Sequence, residues 1–449
     1  MNKSNYSLIL KFNENIIAVS FLTGYILKLN EGLYNKLVNN RFNEIENKVL
    51  ERLIEYGIVE NEEGEHLNII QKNFERIKFS SNYKNLYITL ITTYDCNFKC
   101  TYCYYGDHKP IKSYIQDNLI KPITRFINDR LKNNENIDRI NIEFYGGEPL
   151  LNYKYIIKFI DFFEKHVSRE VSLSYSITTN GSILNNDIIN LFSLSNFNEI
   201  QITIDGPPSI HDRFRMFRNG RGTFNTIFSN LLLLTDYLEN NKVFIRINLS
   251  EDNINNISKL LDIFKEHNLE RKIGIGFGVI RERRKRFDTN CYINYPFNMI
   301  IYKPNFIEKY IDIVREAIIK GFNLIPILYS RPKFAPCAAI TKRSYAIDPY
   351  GDIYKCWEAL GLKEYSVGNI RYGIDEKKEK IWLDWTPLVF KKCVECPILP
   401  YCMGYCPAET IVKHKPEPEC NIVRLNLEEY IKLVLMKIGI YQKIANLTS

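Results

Sequence analysis

Three cysteines, Cys96, Cys100 and Cys103, follow an apolar strand-like run from Leu86 to Ile91, and their spacing constrains this chain more than any other feature. Three thiolates are too few to close a tetrahedral zinc site, which takes four ligands. A loop of eight residues can instead wrap three thiolates around one iron–sulfur cube and leave one iron open. The spacing therefore predicts a 4Fe-4S cluster that binds a small molecule, and a zinc knuckle or scattered structural thiols are the alternative.

This CxxxCxxC spacing, with the aromatic Tyr102 before the last cysteine, resembles that of the radical S-adenosylmethionine (radical SAM) enzymes. The resemblance implies that Cys96, Cys100 and Cys103 hold a 4Fe-4S cluster whose open iron binds S-adenosylmethionine. In that family the cofactor is split to a 5'-deoxyadenosyl radical, which takes hydrogen from the substrate, while the protein binds and orients the reactants. An electron donor such as flavodoxin or ferredoxin is implied as a partner.

Further segments follow in the family's order along the chain. They resemble a Gly-Gly-Glu-Pro turn that binds the methionine amino group, a Thr-Asn-Gly segment beside the adenosine, and a strand-loop pair of the peptide-modifying members. A lone Gly-Gly or strand-end turn is common in proteins, and the shared order is what favours function. The resemblance assigns cofactor contacts to Tyr102, Gly146, Gly147, Glu148, Pro149, Asn180, Asp205, Arg246 and Asn248.

A second cysteine set near the C-terminus resembles the seven-cysteine SPASM extension, which binds two auxiliary 4Fe-4S clusters. The resemblance assigns one closed cluster to Cys393, Cys396, Cys402 and Cys420, and a second to Cys337, Cys356 and Cys406. The second lacks a fourth thiolate, so its open iron is left to a substrate thiolate, water or Cys291. A zinc ribbon is the alternative, because paired CxxC-like motifs commonly bind zinc.

Strand-like and helix-like segments alternate from Leu86 onward, which indicates parallel βα units. Strands are predicted near 86–92, 139–144, 172–178, 199–204, 243–248 and 273–279, and helices near 114–132, 153–167, 185–193, 223–239, 254–267 and 306–320. We therefore predict an α/β fold with a partial (β/α)6 radical SAM barrel. The motif residues follow the strands at their C-terminal ends, where barrel enzymes place their chemistry.

The first seventy residues differ from this pattern. Three short alternating strands, 6–12, 16–21 and 25–29, precede two helices, 32–39 and 42–56. This unit is similar to the winged-helix-like element with which peptide-modifying SPASM enzymes capture a precursor's leader as an added strand, and a plain stabilising cap is the alternative. The predicted domains are 1–70 for leader recognition, 71–84 as linker, 85–328 as the barrel and 329–449 as the SPASM domain with a C-terminal helix.

Composition favours a cytoplasmic enzyme. Ten of the 11 cysteines fall in cluster patterns, so no disulfide framework of the secreted kind is needed. The N-terminus lacks a signal-peptide pattern, and we expect no membrane partner because no apolar run reaches spanning length. The net charge is +8, and the basic run 281–286 is interpreted as a solvated loop, so no nucleic-acid partner is expected.

The resemblance implies that the chain modifies a ribosomally made precursor peptide. Thioether formation is the first interpretation, with a peptide cysteine sulfur joined to a carbon of an acceptor residue. Carbon–carbon or cyclophane crosslinking would need the same parts. Formylglycine maturation of a sulfatase is less favoured, since those enzymes carry an aspartate directly after the cysteine that corresponds to Cys356, whereas Trp357 and Glu358 follow here. Glu358 is the candidate catalytic base. An iron–sulfur electron carrier is the non-enzyme alternative.

Overall fold

The fold is that of a computed structural model, which describes residues 1–79, 84–103, 105, 113–133, 136–167, 171–280, 303–324, 332–438 and 445–446. Cys291 and the basic run 281–286 lie outside these residues. The chain divides into two compact units. The first contains Met1–Ser80, Pro326–Lys342 and Leu383–Ser449, and the second contains Ser81–Ile325 and Arg343–Trp382.

In the described residues the strands are, in chain order, β1 (Asn2–Lys3), β2 (Ser7–Phe12), β3 (Asn15–Ser20), β4 (Ile26–Leu29), β5 (Val59–Glu60), β6 (Asn85–Thr93), β7 (Arg139–Gly146), β8 (Ser172–Thr179), β9 (Phe197–Thr203), β10 (Val243–Leu249), β11 (Ile273–Val279), β12 (Asn323–Leu324), β13 (Ser344–Ile347), β14 (Asp352–Tyr354), β15 (Gly368–Asn369), β16 (Gly373–Ile374) and β17 (Ala445–Asn446). The α-helices are α1 (Glu31–Val38), α2 (Asn47–Glu55), α3 (Glu65–Phe79), α4 (Ile120–Lys132), α5 (Tyr153–His166), α6 (Asn186–Phe192), α7 (Pro208–Phe214), α8 (Phe224–Tyr237), α9 (Ile257–Glu266), α10 (Pro304–Ile319), α11 (Glu376–Leu383), α12 (Lys391–Val394), α13 (Leu399–Cys402), α14 (Ala408–Ile411), α15 (Ile422–Leu425) and α16 (Leu427–Ile438).

The second unit contains an 11-stranded sheet in the order β12-β11-β10-β9-β8-β7-β6-β13-β14-β15-β16. Strands β6 to β11 are all parallel, and helices alternate with them along the chain. The six predicted strands and their following helices are therefore confirmed, and the mixed α/β fold is as expected. Parallel strands place their carboxyl ends at one edge, so the loops after β6 to β10 converge there.

Alternating burial along β7 shows why this segment is a strand. Ile140, Ile142 and Phe144 are buried, whereas the residues between them, such as Glu143, are partly exposed. This two-residue period places the apolar side chains on one face of the sheet. The Phe144 and Phe159 rings pack edge to face at 6.1 Å, so that face is covered by α5.

The sheet continues through a C-terminal meander that the sequence patterns did not predict. Strand β13 pairs parallel to β6, and β14, β15 and β16 follow antiparallel. Beside β13 the fully buried Lys355 ammonium lies 3.2 Å from the Glu379 carboxylate. Tyr345 donates to that same carboxylate at 3.0 Å, which ties the segment before Cys356 to α11.

The first unit contains the N-terminal sheet, in which β2, β3 and β4 are antiparallel and β17 pairs parallel with β4. The three predicted strands and two helices are present, with a 3-10 turn at Phe42–Glu44 before α2. The short pairing of β1 with β5 was not predicted.

Both faces of this N-terminal sheet are buried. Ala18 and Leu27 belong to a core formed with Leu53 of α2. Ile17 and Val19 on the opposite face belong to a second core whose other members lie near the C-terminus: Cys396, Ile398, Tyr401, Ile431 and Leu435. The first seventy residues and the cysteine-rich C-terminal region thus share one hydrophobic core.

Among the described residues, none of the helices combines the length and the apolar composition that a membrane-spanning helix requires.

Candidate functional site

The cysteine loop after β6 is held by a second segment of the same unit. An antiparallel bridge joins Phe98 to Phe217, and their rings pack edge to face at 5.1 Å. Thr101 N donates to Phe214 O at 2.9 Å, and Arg218 N donates to Asn97 O at 3.1 Å. The segment after α7 therefore fixes the backbone between the predicted cluster ligands.

The thiols of Cys96, Cys100 and Cys103 are close enough to interact. Burial raises the pKa of Cys100 to about 12, the Arg215 guanidinium opposes this rise, and the Cys103 and Cys96 thiols add to it. The buried Arg215 cation favours the thiolate form of Cys100, which is the form that binds iron.

The Gly-Gly turn after β7 packs against the backbone of the cysteine loop. A Cβ on Gly147 would lie 2.1 Å from Asp95 O, and one on Gly146, at φ +138°, would lie 2.2 Å from Thr93 O. Gly147 N donates to Thr93 O at 2.9 Å and Glu148 N to Asp95 O at 2.8 Å. The glycines are required here because no side chain fits between the two backbones.

Glu148 is fully buried, and its carboxylate is surrounded by donors of the protein itself. It accepts hydrogen bonds from Leu150 N at 3.0 Å, Thr179 Oγ1 at 2.6 Å and Asn180 N at 2.7 Å. Burial raises the pKa of Glu148, and the bonds from Thr179, Asn180 and Leu150 act in the opposite direction. The side chain thus locks the end of β8 to the turn after β7. Pro149 next to it is buried, and its carbonyl accepts from Thr92 Oγ1 at 3.1 Å.

Asn180 links the end of β8 to the cysteine loop. Its amide nitrogen donates to Asn97 Oδ1 at 2.8 Å and lies 3.9 Å from Cys96 Sγ. Its Oδ1 accepts from Ser182 N at 2.9 Å. The predicted adenosine-side residue therefore lies directly beside a predicted cluster ligand.

A buried polar network joins Tyr102 to the ends of β9 and β10. The Tyr102 hydroxyl donates to the Asp205 carboxylate and accepts from Arg215 Nη1 at 2.8 Å and Asn248 Nδ2 at 3.2 Å. Asn248 N donates to Asp205 Oδ1 at 2.8 Å. Asn253, which is fully buried, donates to the backbone oxygens of Asp205 and Asn248 at 2.8 and 2.7 Å.

His211 supports this network as a neutral imidazole. Its Nδ1 accepts from Asp205 N at 3.2 Å, and its Nε2 lies 3.1 Å from Thr223 Oγ1. Burial, followed by the charge of Arg215, holds the pKa of His211 well below its usual value. The imidazole therefore positions Asp205 and Arg215 and does not act as a cation.

Arg246 lies on β10 between β9 and β11. Its Nε donates to Asn248 Oδ1 at 3.1 Å. A Cβ on Gly278 of β11 would lie 1.6 Å from Arg246 Nη2, so that glycine leaves the space in which the guanidinium lies.

In the first unit, four thiols of the second cysteine set are mutual neighbours. Burial raises the pKa of Cys402 to about 12, and the thiols of Cys396, Cys393 and Cys420 add to it. A hydrogen bond with Cys396 raises the pKa of Arg424. No group of three or more His, Cys, Asp or Glu side chains in the described part of the chain is already arranged as a metal site, so the ligand sets stay predictions.

The remaining predicted ligands lie in both units. Cys337 and Cys406 belong to the first unit and Cys356 to the second. In the second unit, the Trp357 ring lies 6.0 Å from the ring of Tyr145, at the end of β7. Glu358, the predicted base, is half-buried in the adjoining 3-10 turn.

Comparison with known proteins agrees with this geometry. Residues 90–264 match the model of the Radical SAM superfamily. The chain is 27% identical to the cysteine-type anaerobic sulfatase-maturating enzyme of Clostridium novyi (strain NT), over 70% of this chain and 85% of that protein. It is 22% identical to the radical SAM cyclopropyl synthase TigE of Paramaledivibacter caminithermalis, over 83% of this chain and 79% of that protein.

Two solved structures share the fold. The structure of anSMEcpe with bound AdoMet and the Kp18Cys peptide has a TM-score of 0.59 at 18% identity, covering 79% of this chain and 99% of that chain. Streptococcus suis SuiB bound to S-adenosylmethionine has a TM-score of 0.52 at 14% identity, covering 93% of this chain and 98% of that chain.

A Radical SAM domain implies a 4Fe-4S cluster and S-adenosylmethionine, and the residues present fit both. Three neighbouring thiols match the cluster's donor set. Arg215 Nε is buried and makes no hydrogen bond within the described residues, although it lies 4.0 Å from Asp205 Oδ2. A buried N–H group without an acceptor, such as Arg215 Nε, is suited to bind an anionic group in the space between the cysteine loop and β9.

Several residues of the site were not assigned from the sequence. The sequence predictions do not include Arg215, Asn97, Thr179 or Asn253. Their roles depend on contacts between strand ends that are far apart in sequence. The available signal was a polar residue beside each assigned motif residue.

Proposed function

We propose that this chain is a radical SAM enzyme that modifies a ribosomally synthesised precursor peptide and joins a cysteine sulfur to a residue carbon as a thioether. The observation that carries the proposal is the convergence of the cysteine loop, Gly147, Asn180, Asp205 and Asn248 at one edge of the parallel sheet. An electron carrier would need the thiols but not this shell of polar groups beside them.

When bound, the cluster and S-adenosylmethionine supply a 5'-deoxyadenosyl radical that takes hydrogen from a carbon. The residues of this chain hold and orient those reactants. Cys96, Cys100 and Cys103 ligate the cluster. Arg246 and Asn248 contact the cofactor from β10, while Glu148 positions the end of β8.

Thioether formation removes one hydrogen atom from carbon, one proton from sulfur and one further electron. The peptide therefore needs an electron acceptor in addition to the radical. The thiols of Cys393, Cys396, Cys402 and Cys420 would hold such an acceptor as an auxiliary cluster, and Cys337, Cys356 and Cys406 would hold a second. A peptide substrate is also supported by two similar solved structures that contain peptides, anSMEcpe with Kp18Cys and SuiB with SuiA.

The N-terminal sheet supports a peptide as the substrate. It presents strand edges, and main-chain hydrogen bonds at a strand edge capture an extended peptide with little demand on its sequence. The edge strands of that sheet are β2 and the two-residue β17, which pairs with β4. Leader recognition is assigned to this sheet.

Formylglycine maturation is the second candidate, because the first relative named above is a cysteine-type sulfatase-maturating enzyme. Trp357 follows Cys356 here and packs on Tyr145, where a carboxylate base would be needed. Glu358 is the nearest carboxylate in sequence. The thioether is therefore preferred over formylglycine.

The test is mass spectrometry of a precursor peptide encoded beside this gene, after anaerobic co-expression and after reaction with dithionite and S-adenosylmethionine. A thioether removes two hydrogen atoms and leaves the cysteine unreactive to alkylating reagents. Formylglycine instead gives an aldehyde that reacts with hydrazides. A core peptide without its leader is expected to react far more slowly than the full precursor.

Cys96→Ala is expected to abolish 5'-deoxyadenosine formation. Cys291→Ala is the control for this reaction, because Cys291 is not a candidate ligand of the cluster assigned to Cys96, Cys100 and Cys103, and it should still form 5'-deoxyadenosine. Reconstituted protein that forms no 5'-deoxyadenosine, with or without peptide, would contradict the radical SAM proposal and favour an electron carrier.

A further inference from the structure

One face of the parallel sheet in the second unit is polar and at least partly exposed. The apolar side chains of β7 face α5, and the residues between them belong to the opposite face. Directly paired residues of neighbouring strands point to the same side of a sheet. The pairing therefore places on this polar face Thr89, Glu143, Ser176, Glu199, Arg246 and Asn248. Strands of a parallel sheet are ordinarily apolar on both faces, so a polar face is suited to bind a ligand.

The Glu143 carboxyl lies in the middle of this polar face. It accepts from Thr178 Oγ1 at 3.0 Å and from Thr89 Oγ1 at 3.4 Å. Gln201 Nε2 in turn donates to Thr178 Oγ1 at 3.3 Å. The carboxyl is thus part of a chain of polar side chains that crosses β6 to β9, and Glu143 itself is partly exposed.

The surroundings of Glu143 suit it to exchange a proton near neutral pH. Burial raises the pKa of Glu143 to about 7; the hydrogen bond from Thr178 opposes the rise, the charge of Glu199 adds to it, and the bond from Thr89 opposes it. No cation of the described residues is among these causes. On the same face β8 contributes only serine and threonine, and the other titratable groups of the neighbouring strands are Tyr87, Arg139, Tyr145, Glu199 and Arg246.

Glu143 shares this face with the groups assigned to the cofactor. Arg246 and Asn248, the predicted cofactor contacts of β10, belong to the same face. Tyr145 lies on it beside the Gly-Gly turn, and its ring is 6.0 Å from the ring of Trp357, which is 46% exposed. Two residues of a strand span about 7 Å, so a peptide that packs on these rings reaches Glu143 within about two residues.

We propose that Glu143 is the catalytic base of thioether formation, which takes the proton from the peptide's cysteine thiol. This rests on the proposed function and deepens it, and it replaces Glu358 in that role. The S–H bond breaks, the proton passes to the Glu143 carboxylate, and the sulfur electron pair forms the C–S bond. The carbon has by then lost one hydrogen atom to the 5'-deoxyadenosyl radical, and the one excess electron leaves to an iron–sulfur acceptor.

The test measures how pH affects modification of the precursor peptide by the anaerobically reconstituted full chain, with dithionite as the reductant. Two quantities are determined, kcat/KM for thioether formation and the amount of thioether formed per 5'-deoxyadenosine. The pH dependence of kcat/KM reports the pKa of an essential base in the free enzyme. For the unsubstituted protein kcat/KM should increase as the pH rises through about 7, because only the carboxylate form of Glu143 accepts a proton.

Glu143→Gln keeps the size of the side chain but cannot take the proton. We expect the thioether formed per 5'-deoxyadenosine to fall about tenfold or more, since a general base contributes about 10²–10⁴-fold. The increase of kcat/KM near pH 7 should be lost, which leaves an increase toward the thiol's own pKa of about 8.5. Glu143→Asp keeps a carboxylate and should restore part of both. Glu266→Gln, at the exposed end of α9, is the matched control and should behave like the unsubstituted protein.

Glu199→Gln tests the same carboxyl without replacing it. The charge of Glu199 raises the pKa of Glu143, so its removal should move the increase of kcat/KM to lower pH. The thioether formed per 5'-deoxyadenosine at high pH should stay the same. A merely structural role of Glu143 would not produce this shift.

An unchanged thioether yield per 5'-deoxyadenosine in Glu143→Gln would overturn the assignment. So would a pH profile that Glu199→Gln does not move. A lower yield in Glu358→Gln but not in Glu143→Gln would return the role to the base predicted from the sequence. If the unsubstituted protein gives 5'-deoxyadenosine but no thioether, the proposed function fails and this inference fails with it, whereas a thioether formed without the increase near pH 7 contradicts this inference alone.

Discussion

Two carboxyl groups near the end of β7 should respond to very different extents to the same substitution. Glu148 accepts from Leu150 N, Thr179 Oγ1 and Asn180 N. Among the described residues, the donors to Glu143 are the hydroxyls of Thr178, at 3.0 Å, and Thr89, at 3.4 Å. Either hydroxyl can rotate to offer a lone pair instead.

In Glu148→Gln one acceptor oxygen becomes an NH2 group that faces a backbone N–H or the Thr179 hydroxyl. At least one hydrogen bond to a charged group is then lost, which costs about 1.5–3 kcal/mol. Because the bonds hold Asn180 beside Cys96, the dissociation constant for S-adenosylmethionine should rise about tenfold or more. In Glu143→Gln the amide replaces a carboxyl that burial keeps about half protonated near pH 7, with its pKa raised to about 7, and its two hydroxyl donors can reorient, so the change should be less than about threefold.

Equilibrium dialysis of anaerobically reconstituted protein measures the dissociation constants. Amide hydrogen exchange of β8 peptides measures local opening without assuming two-state unfolding of the whole chain. Faster exchange across Ser172–Thr179 is expected in Glu148→Gln only. If both variants bind the cofactor alike and protect β8 alike, the positioning role assigned to Glu148 is refuted.

Three further outcomes are expected. Stability should fall as the pH rises from about 4.5 to 7, because the pKa of Glu143 is raised from its usual 4.5 to about 7 and the folded state therefore favours the protonated form. At about 1.4 kcal/mol per pH unit, Glu143→Gln should gain up to about 3 kcal/mol relative to the unsubstituted protein between pH 5 and 8 in urea titrations. Gly147→Ala should displace Asp95, whose carbonyl would lie 2.1 Å from the new Cβ, and lower the iron content after reconstitution. Lys355→Met should lower the free energy of unfolding by about 3–5 kcal/mol, since it leaves Glu379 buried without its cation.

Each of these outcomes has a control. Gly32→Ala meets only Asn30 Oδ1 at 3.5 Å and should keep full iron content. Lys355→Met/Glu379→Gln should recover part of the lost stability, because no unpaired charge stays buried. A pH-independent difference between Glu143→Gln and the unsubstituted protein would contradict a raised carboxyl pKa.

Local sequence patterns were sufficient for strands β6 to β11 and the helices between them, but not for the meander β13 to β16. The two-residue alternation of β7 and the apolar spacing of α5, with Ile156, Phe159, Ile160 and Phe163 buried, predict a strand and a helix without reference to the rest of the chain. The sequence also predicts the site at the carboxyl ends of the strands, because each motif directly follows a predicted parallel strand. Partners of buried polar groups could not be predicted in this way.

Glu148 and Arg215 show the limit. The sequence assigned Glu148 to the cofactor, but its three donors come from the chain itself, and one of them lies 32 residues away. Arg215 contacts a tyrosine 113 residues away. Such pairings depend on which strand ends meet in the folded chain. The spacing of apolar residues along the sequence does not predict them.

The core shared by the N-terminal sheet and the C-terminal region affects the order of events during synthesis. Ile17 and Val19 pack against Tyr401, Ile431 and Leu435, which are synthesised about 380 to 420 residues later. At about 5–20 residues per second, the first strands would stand with one apolar face uncovered for roughly 20 to 80 s. During that interval the face is open to chaperones and to other nascent chains.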